Sequence, residues 1–437
     1  MSPKRALVSL LLLLAVAPLA AQRIFRTEFA PHDTREDALR RSHASTENYI
    51  AFKPQRIDTS NNLEAYVMSV DIPTAWSDFN VFLHLENLSA PYYLFINNDF
   101  VATVRDPKAY ADFFISRYLR QGRNDVMLAF EPMADELNGA KRAESVPFAA
   151  SSYIFAQYRR YIYDYDASIA LAENGKNLNL ALDLLVRNDF NFEEPVKVGY
   201  DIYDPSGKLV DYAIHDMIVP GRTTDTLRVR TNLGAEARYL WSAAKPQLYR
   251  MTLYVKRDGK PREYVLFHLG AGTTGYADGK ITRNGQPLTL RTTAYEGATT
   301  FERTQSELRA LKKQGFNTVL PHAPQPTWFY DICDREGLYV VERANINPTH
   351  EPDNRAVGGT PSNNPALADE YLERVKAMYY RTRNHSCIIA YALGGDRSGN
   401  GYNMYKAYEW LKSVEPRRAV ITPCANGEWN TDIDSLK

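Results

Sequence analysis

Asp396, His322, Trp328 and His350 are the side chains of this 437-residue chain best suited to handling a neutral, polyhydroxylated molecule of sugar size. A carboxylate and two imidazoles can hydrogen-bond hydroxyl groups, and an indole offers a face on which a pyranose ring stacks. Asp396 closes Leu393-Gly394-Gly395-Asp396, directly after an apolar run, and His322 stands in Val319-Leu320-Pro321-His322-Ala323-Pro324. Taken singly, each residue also fits a structural role: His322 as a satisfied strand-end histidine, Trp328 as a helix-core residue, Asp396 as a loop-capping acid. His43, His84 and His215 are scattered without convergent ligand spacing. There is no Gly-rich phosphate loop and no Ser-His-Asp arrangement, so neither a metal nor a cofactor is expected.

The elements that must hold these residues are legible as patterns. Leu308 to Gly315 reads as a helix with a glycine stop, Phe316 to Leu320 as a short strand, Trp328 to Glu336 as a helix and Leu338 to Val341 as a strand. Ala368 to Arg381 is a further amphipathic helix, followed by strands at Ile388 to Leu393 and Ala419 to Thr422. Strands alternating with helices of this size imply a parallel sheet with crossover helices, the opening units of a (β/α)₈ barrel, whose active residues project from C-terminal strand ends. Asp396 falls at such an end. Upstream, period-two runs at Ala65 to Val70, Val81 to Leu85, Tyr93 to Ile96 and Val126 to Phe130 indicate an antiparallel sandwich. Asn179 to Val186, Val198 to Tyr203 and Met251 to Val255 indicate a second, with Asp204-Pro205-Ser206-Gly207 as a turn. Trp76, Tyr92 and Tyr93 could stack on a sugar, but core packing is the favoured reading.

Composition sets limits. Hydrophobic residues at 44% and charged residues at 24% describe a globular chain with several cores. With 52 basic and 52 acidic residues no overall field draws it to nucleic acid or anionic lipid. Lys4 and Arg5, the apolar run Ala6 to Val16 and small residues at Ala20 and Ala21 read as a secretory signal peptide, too short to span a bilayer. A periplasmic or extracellular location and no membrane anchor after cleavage are therefore expected. Cys333, Cys387 and Cys424 are an odd count without zinc-like spacing, which favours buried free thiols.

Gly337-Leu338-Tyr339-Val340-Val341-Glu342-Arg343-Ala344-Asn345, Arg383-Asn384-His385 and Leu393-Gly394-Gly395-Asp396 together resemble the barrel of the β-galactosidase family, glycoside hydrolase family 2. Leu240-Trp241-Ser242, Pro246 and Leu248-Tyr249 resemble the end of that family's immunoglobulin-like domain, and Ile72-Pro73 with Trp76, Ile96-Asn97 and Leu119 with Gly122 and Asn124 its N-terminal jelly roll. The resemblance implies a multidomain β plus α/β chain. Its parts would be a signal peptide (1–21), an extension and galactose-binding-like jelly-roll β-sandwich (22–150), an immunoglobulin-like β-sandwich (151–270) and a partial TIM barrel (271–437). It covers most of the chain from about Ala65 and leaves Gln22 to Glu64 without a counterpart.

The family reaction is retaining hydrolysis of terminal β-linked sugars by two carboxyl groups about 5–5.5 Å apart. The resemblance gives Asp396 the acid/base position, where the family has glutamate, and puts Gly395 where an asparagine binds a sugar hydroxyl. Ala294 and Glu296 replace an asparagine and a histidine of the family's sugar pocket, and Arg343 replaces one member of an acidic pair. The family's nucleophile glutamate belongs on a strand beyond Ala419 to Thr422, and Glu428 reads as a solvated residue. The expectation is weak or lost hydrolysis, with a non-catalytic glycan-binding or scaffold protein as the alternative, and with a protein partner or oligomer covering the open barrel.

Overall fold

A computed structural model describes residues 23–29, 31–40, 48–57, 64–88, 90–130, 137, 152–234, 239–348, 353–434 and 436. The signal-like stretch Met1 to Ala21 and His350 lie outside the described residues. The chain forms two compact units, one of residues 1–25 and 47–159, the other of 26–46 and 160–437.

The first unit is a β-sandwich. Its five-stranded sheet runs in the order Gln55–Ile57, Glu64–Ile72, Gly122–Phe130, Tyr92–Ile96 and Asp99–Val104, and its four-stranded sheet in the order Tyr49–Ala51, Tyr153–Tyr158, Phe79–Leu85 and Ala111–Phe114. Neighbouring strands pair antiparallel. Asn97 and Asn98 both take positive φ (53° and 73°), the conformation a tight two-residue hairpin needs between Ile96 and Asp99. Trp76 and Tyr92 lie in the core with Leu94, Phe113, Leu128 and Phe130, so their rings serve packing. Tyr153–Tyr158, assigned from sequence to the second domain, instead pairs with Phe79–Leu85, because its nearly unbroken apolar run belongs in the first unit's interior.

In the second unit, Arg160–Leu171, Leu178–Asn188 and Thr224–Asn232 make one face of a sandwich. Leu209–Val219, Glu194–Tyr203, Tyr249–Arg257 and Lys260–Leu269 make the other. Leu178–Asn188 alternates strictly between core and outer face, as a half-buried strand should. At the expected turn Asp204 Oδ1 accepts from the Ser206 and Lys208 amides, and Gly207 supplies a φ of +86°.

The same unit carries a five-stranded parallel sheet in sequence order: β1 (Thr292–Tyr295), β2 (Thr318–Pro321), β3 (Tyr339–Arg343), β4 (Ile388–Ala392) and β5 (Ala419–Ile421). Helices α1 (Phe301–Lys313), α2 (Thr327–Glu336), α3 (Ala368–Thr382) and α4 (Tyr402–Val414) alternate with the strands along the chain. All five residues of β4 are buried, which fits a parallel strand covered on both faces. Thr300 caps α1 by accepting from the Arg303 amide, and Lys312 and Lys313 complement the dipole at the other end. Gly337 ends α2 with φ at +73°, where an added Cβ would meet the Ala243 carbonyl oxygen at 2.4 Å.

Arg383-Asn384-His385, between α3 and β4, joins this sheet to the sandwich. Arg383 Nη2 pairs with Asp164 at 2.7 Å, Asn384 Oδ1 accepts the Ala167 amide, and His385 Nδ1 meets Asp334 at 2.7 Å. Trp241, fully buried, donates from Nε1 to the Asp334 carbonyl at 2.8 Å. Cys333 and Cys387 are buried thiols, while Cys424 is partly exposed.

Candidate functional site

Four side chains gather just past or at the C-terminal ends of β1 to β4. Glu296 follows β1, His322 follows β2, Arg343 ends β3, and Asp396 lies four residues beyond the end of β4. Arg343 Nη2 donates to the His322 carbonyl and approaches His322 Nδ1 at 3.1 Å. A guanidinium has only donors, so His322 Nδ1 must present its lone pair and the ring proton resides on Nε2. That Nε2 faces Glu296 Oε1 at 3.3 Å. Both members of the pair are largely exposed, so the contact orients the ring and contributes little stability.

Asp396 is exposed, and its carboxylate makes no hydrogen bond or ion pair among the described residues. The turn that carries it is fixed by the backbone: Leu393 donates to Ile421, Gly395 to Ile346, and Ser398 to Gly395. Cys424 Sγ touches the Asp396 carbonyl at 3.2 Å. Burial pushes the Arg343 guanidinium below its usual range, with Asp396 and Glu342 partly opposing that shift.

Strand alternation explains why Glu342 and Arg343 do not act as a pair. Arg343 reaches His322 at the strand ends. Glu342 points into the helix layer, where Tyr330 of α2 donates to its Oε1 at 2.7 Å. Burial of Glu342 is complete, and this raises its carboxyl to about 7 against the opposing pull of Tyr330, Arg381 and Arg343.

Gly395 leaves no empty space where a side chain would go. A Cβ there would lie 2.4 Å from Asn347 Oδ1 and 3.2 Å from Arg343 Nη1, so the Asn347 amide fills that volume. Sequence reasoning missed Asn347. The signal was available in its place two residues after Asn345, where the chain leaves the C-terminal end of β3.

The remaining candidates are placed elsewhere. Trp328 sits in the first turn of α2 and packs its ring against Phe301 of α1 at 5.9 Å, so it covers a helix pair and does not join the strand-end set. Glu428 is held by Arg355 at 2.6 Å and by the Tyr405 hydroxyl, and these bonds lower its carboxyl below the usual range. The sequence showed no metal-like spacing, yet Asp331 and Asp334 of α2 converge with His385, their ligand atoms within 4.8 Å of one another. Asp334 is already engaged there, by the Cys387 amide and by His385.

Residues 294–436 match the family described as Glycosyl hydrolases family 2, TIM barrel domain, and residues 160–270 match Glycosyl hydrolases family 2. The chain is 28% identical over 403 residues to a β-galactosidase of Pectobacterium atrosepticum, covering 85% of this chain and 36% of that protein. A β-galactosidase of Priestia megaterium is 26% identical over 384 residues, with 82% and 36% covered. This chain thus spans about a third of the length of these relatives. Among solved structures, Bacteroides uniformis β-glucuronidase superposes with a TM-score of 0.67 at 16% identity, over 82% of this chain and 46% of that one. A family 2 glycosyl hydrolase from Bacteroides cellulosilyticus reaches 0.69 at 14% identity, over 92% and 56%.

Proposed function

The chain belongs to glycosyl hydrolase family 2, and from that premise we propose that its strand-end cleft binds a terminal β-linked sugar, with Asp396 in the position of the general acid. The observation that carries this reading is the unengaged Asp396 carboxylate, exposed at a C-terminal strand end beside Arg343 and the His322–Glu296 pair. Barrel enzymes place their chemistry at this face. An aspartate can protonate a leaving oxygen, but it reaches one methylene less far than the glutamate of the family pattern. Gly395 brings no side chain to a sugar hydroxyl. Binding with slow hydrolysis is therefore the favoured reading, and glycan binding without hydrolysis is the second, favoured by these same departures.

The test is direct. The protein is offered 4-nitrophenyl β-galactoside and β-glucuronide, and release of nitrophenol is followed alongside saturation-transfer NMR of the intact glycosides. Replacing Asp396→Asn should lower any hydrolytic rate by about 10²-fold or more, the usual contribution of a positioned general acid, while leaving the NMR contact in place. An unchanged rate would remove Asp396 from the acid position. Export is proposed on the basic and apolar pattern of Met1 to Ala21, and fractionation of cells expressing the tagged chain tests it: a product that stays cytosolic with its leader uncut rejects the idea.

A further inference from the structure

Three of the chain's eight histidines, His32, His268 and His385, line one cavity of about 180 Å³ in the second unit. Its walls come from the segment Thr27 to His32, from the sandwich strand Lys260–Leu269 and from helix α2, which contributes Asp331. His32 is docked on that strand by reciprocal backbone hydrogen bonds with Tyr264, so His32 and His268 both belong to the sandwich side of the cavity. His385 lies three residues before β4 and Asp396 four residues beyond it, which puts this cavity and the strand-end cleft at opposite ends of one strand.

Asp331 and Asp334 are three residues apart on α2 and so share a face of that helix. Their carboxylates and a ring nitrogen of His385 lie within 4.8 Å of one another. Four donors around a zinc ion, with bonds of about 2.0–2.1 Å, stand roughly 3.3 Å apart, so modest side-chain rotations close these three onto one centre. Asp334 is oriented in advance: its Oδ1 accepts the Cys387 amide and its Oδ2 faces His385 Nδ1, each at 2.7 Å. Metal-binding carboxylates and imidazoles are typically held by such outer hydrogen bonds. The lining sets Glu28 and Asp331 against one cation, Arg381, and Asp334 adds a further negative charge beside His385, so the local balance favours a cation. Imidazoles among the donors select a transition metal over calcium or magnesium, which take oxygen ligands.

We propose that this cavity is a structural site for a divalent transition metal, Zn²⁺ in tetrahedral form, with Asp331, Asp334 and His385 as ligands and His32 or His268 as the fourth. The ion clamps the sandwich side of the cavity to α2 and to the start of β4. Binding requires the coordinating imidazole nitrogens to be deprotonated, and any proton they carry passes to solvent. The site stands whether or not the strand-end cleft takes a sugar.

The test uses the full chain, free of any affinity tag and treated with chelator, titrated calorimetrically with ZnCl₂ and then with CoCl₂ while visible absorption is followed. One ion per chain, a melting temperature that rises with added zinc and the intense visible bands of tetrahedral Co²⁺ are expected. Asp331 is only partly buried, and Asp331→Asn should weaken zinc binding by about tenfold or more, as should at least one of His32→Gln and His268→Gln. His322→Gln, at the other end of the sheet, should leave the affinity unchanged. Absence of saturable zinc binding, or an affinity unmoved by Asp331→Asn, would overturn the proposal. Full affinity in both histidine variants would overturn the four-ligand site. Should a variant fail to fold, the Co²⁺ spectrum of the unaltered protein still decides, since the weak bands of octahedral Co²⁺ would rule out the tetrahedral site.

Discussion

Glu342 is the residue whose behaviour departs most from what its neighbours in sequence suggest. Its carboxyl is raised to about 7 by burial, with Oε2 buried and unpartnered, so the folded protein holds a proton there that the unfolded chain releases near its ordinary value. The folded form binds more protons between about pH 4.5 and 7, so this contribution is fully present below that window and is lost as pH rises through it, by about 3 kcal/mol in total. Glu342→Gln should flatten that slope, and urea unfolding of both proteins at pH 5 and pH 8 measures it; parallel slopes would place the proton elsewhere. At this scale the sequence was informative about identity and less so about placement. His322 directly follows an apolar strand and Asp396 follows one after a three-residue turn, so the sequence places both near strand ends. Trp328 could not be separated from the cleft, since nothing in Thr327-Trp328-Phe329 says which ring meets Phe301 of the preceding helix.

Elements were more legible than side chains because their periods are local. Leu308 to Gly315, Ala368 to Arg381 and Ile388 to Leu393 all fall on the observed α1, α3 and β4 within a few residues at each end, apart from α1, which begins at Phe301. The strand Tyr153–Tyr158 was assigned to the wrong sandwich, since pairing partners far along the chain leave no periodic trace. Gly337 is the point where local and distant demands meet: it turns the chain from α2 into β3 with positive φ, against the Ala243 carbonyl. Gly337→Ala should cost about 1–3 kcal/mol in backbone strain and steric displacement, read as a lowered melting temperature. A variant melting with the parent would mean that the turn relaxes freely.

For the molecule as a whole, the second unit depends on a buried polar joint. Arg383 and Asp164 are 10% and 5% exposed in their side chains, and Arg383 also donates to the Tyr165 carbonyl and to Thr27 Oγ1. Removing one partner leaves the other buried and charged, so Arg383→Ala should destabilise by about 3–5 kcal/mol. Differential scanning calorimetry should then separate the sandwich and the parallel sheet of this unit into two transitions; a single unshifted peak would show that the apolar contacts suffice. Arg383-Asn384-His385 drew notice in the sequence as part of a resemblance; Arg383 and Asn384 bond to the sandwich, while His385 holds Asp334 of α2.

The close fit of Asn347 against Gly395 also bears on how the two positions can change. A side chain at 395 and the present rotamer of Asn347 exclude one another at 2.4 Å, so a substitution at 395 requires the Asn347 amide to rotate away. Gly395→Asn introduced alone should therefore displace Asn347 from its bond to the Arg397 amide, and the same change made after Asn347→Gly should be better tolerated.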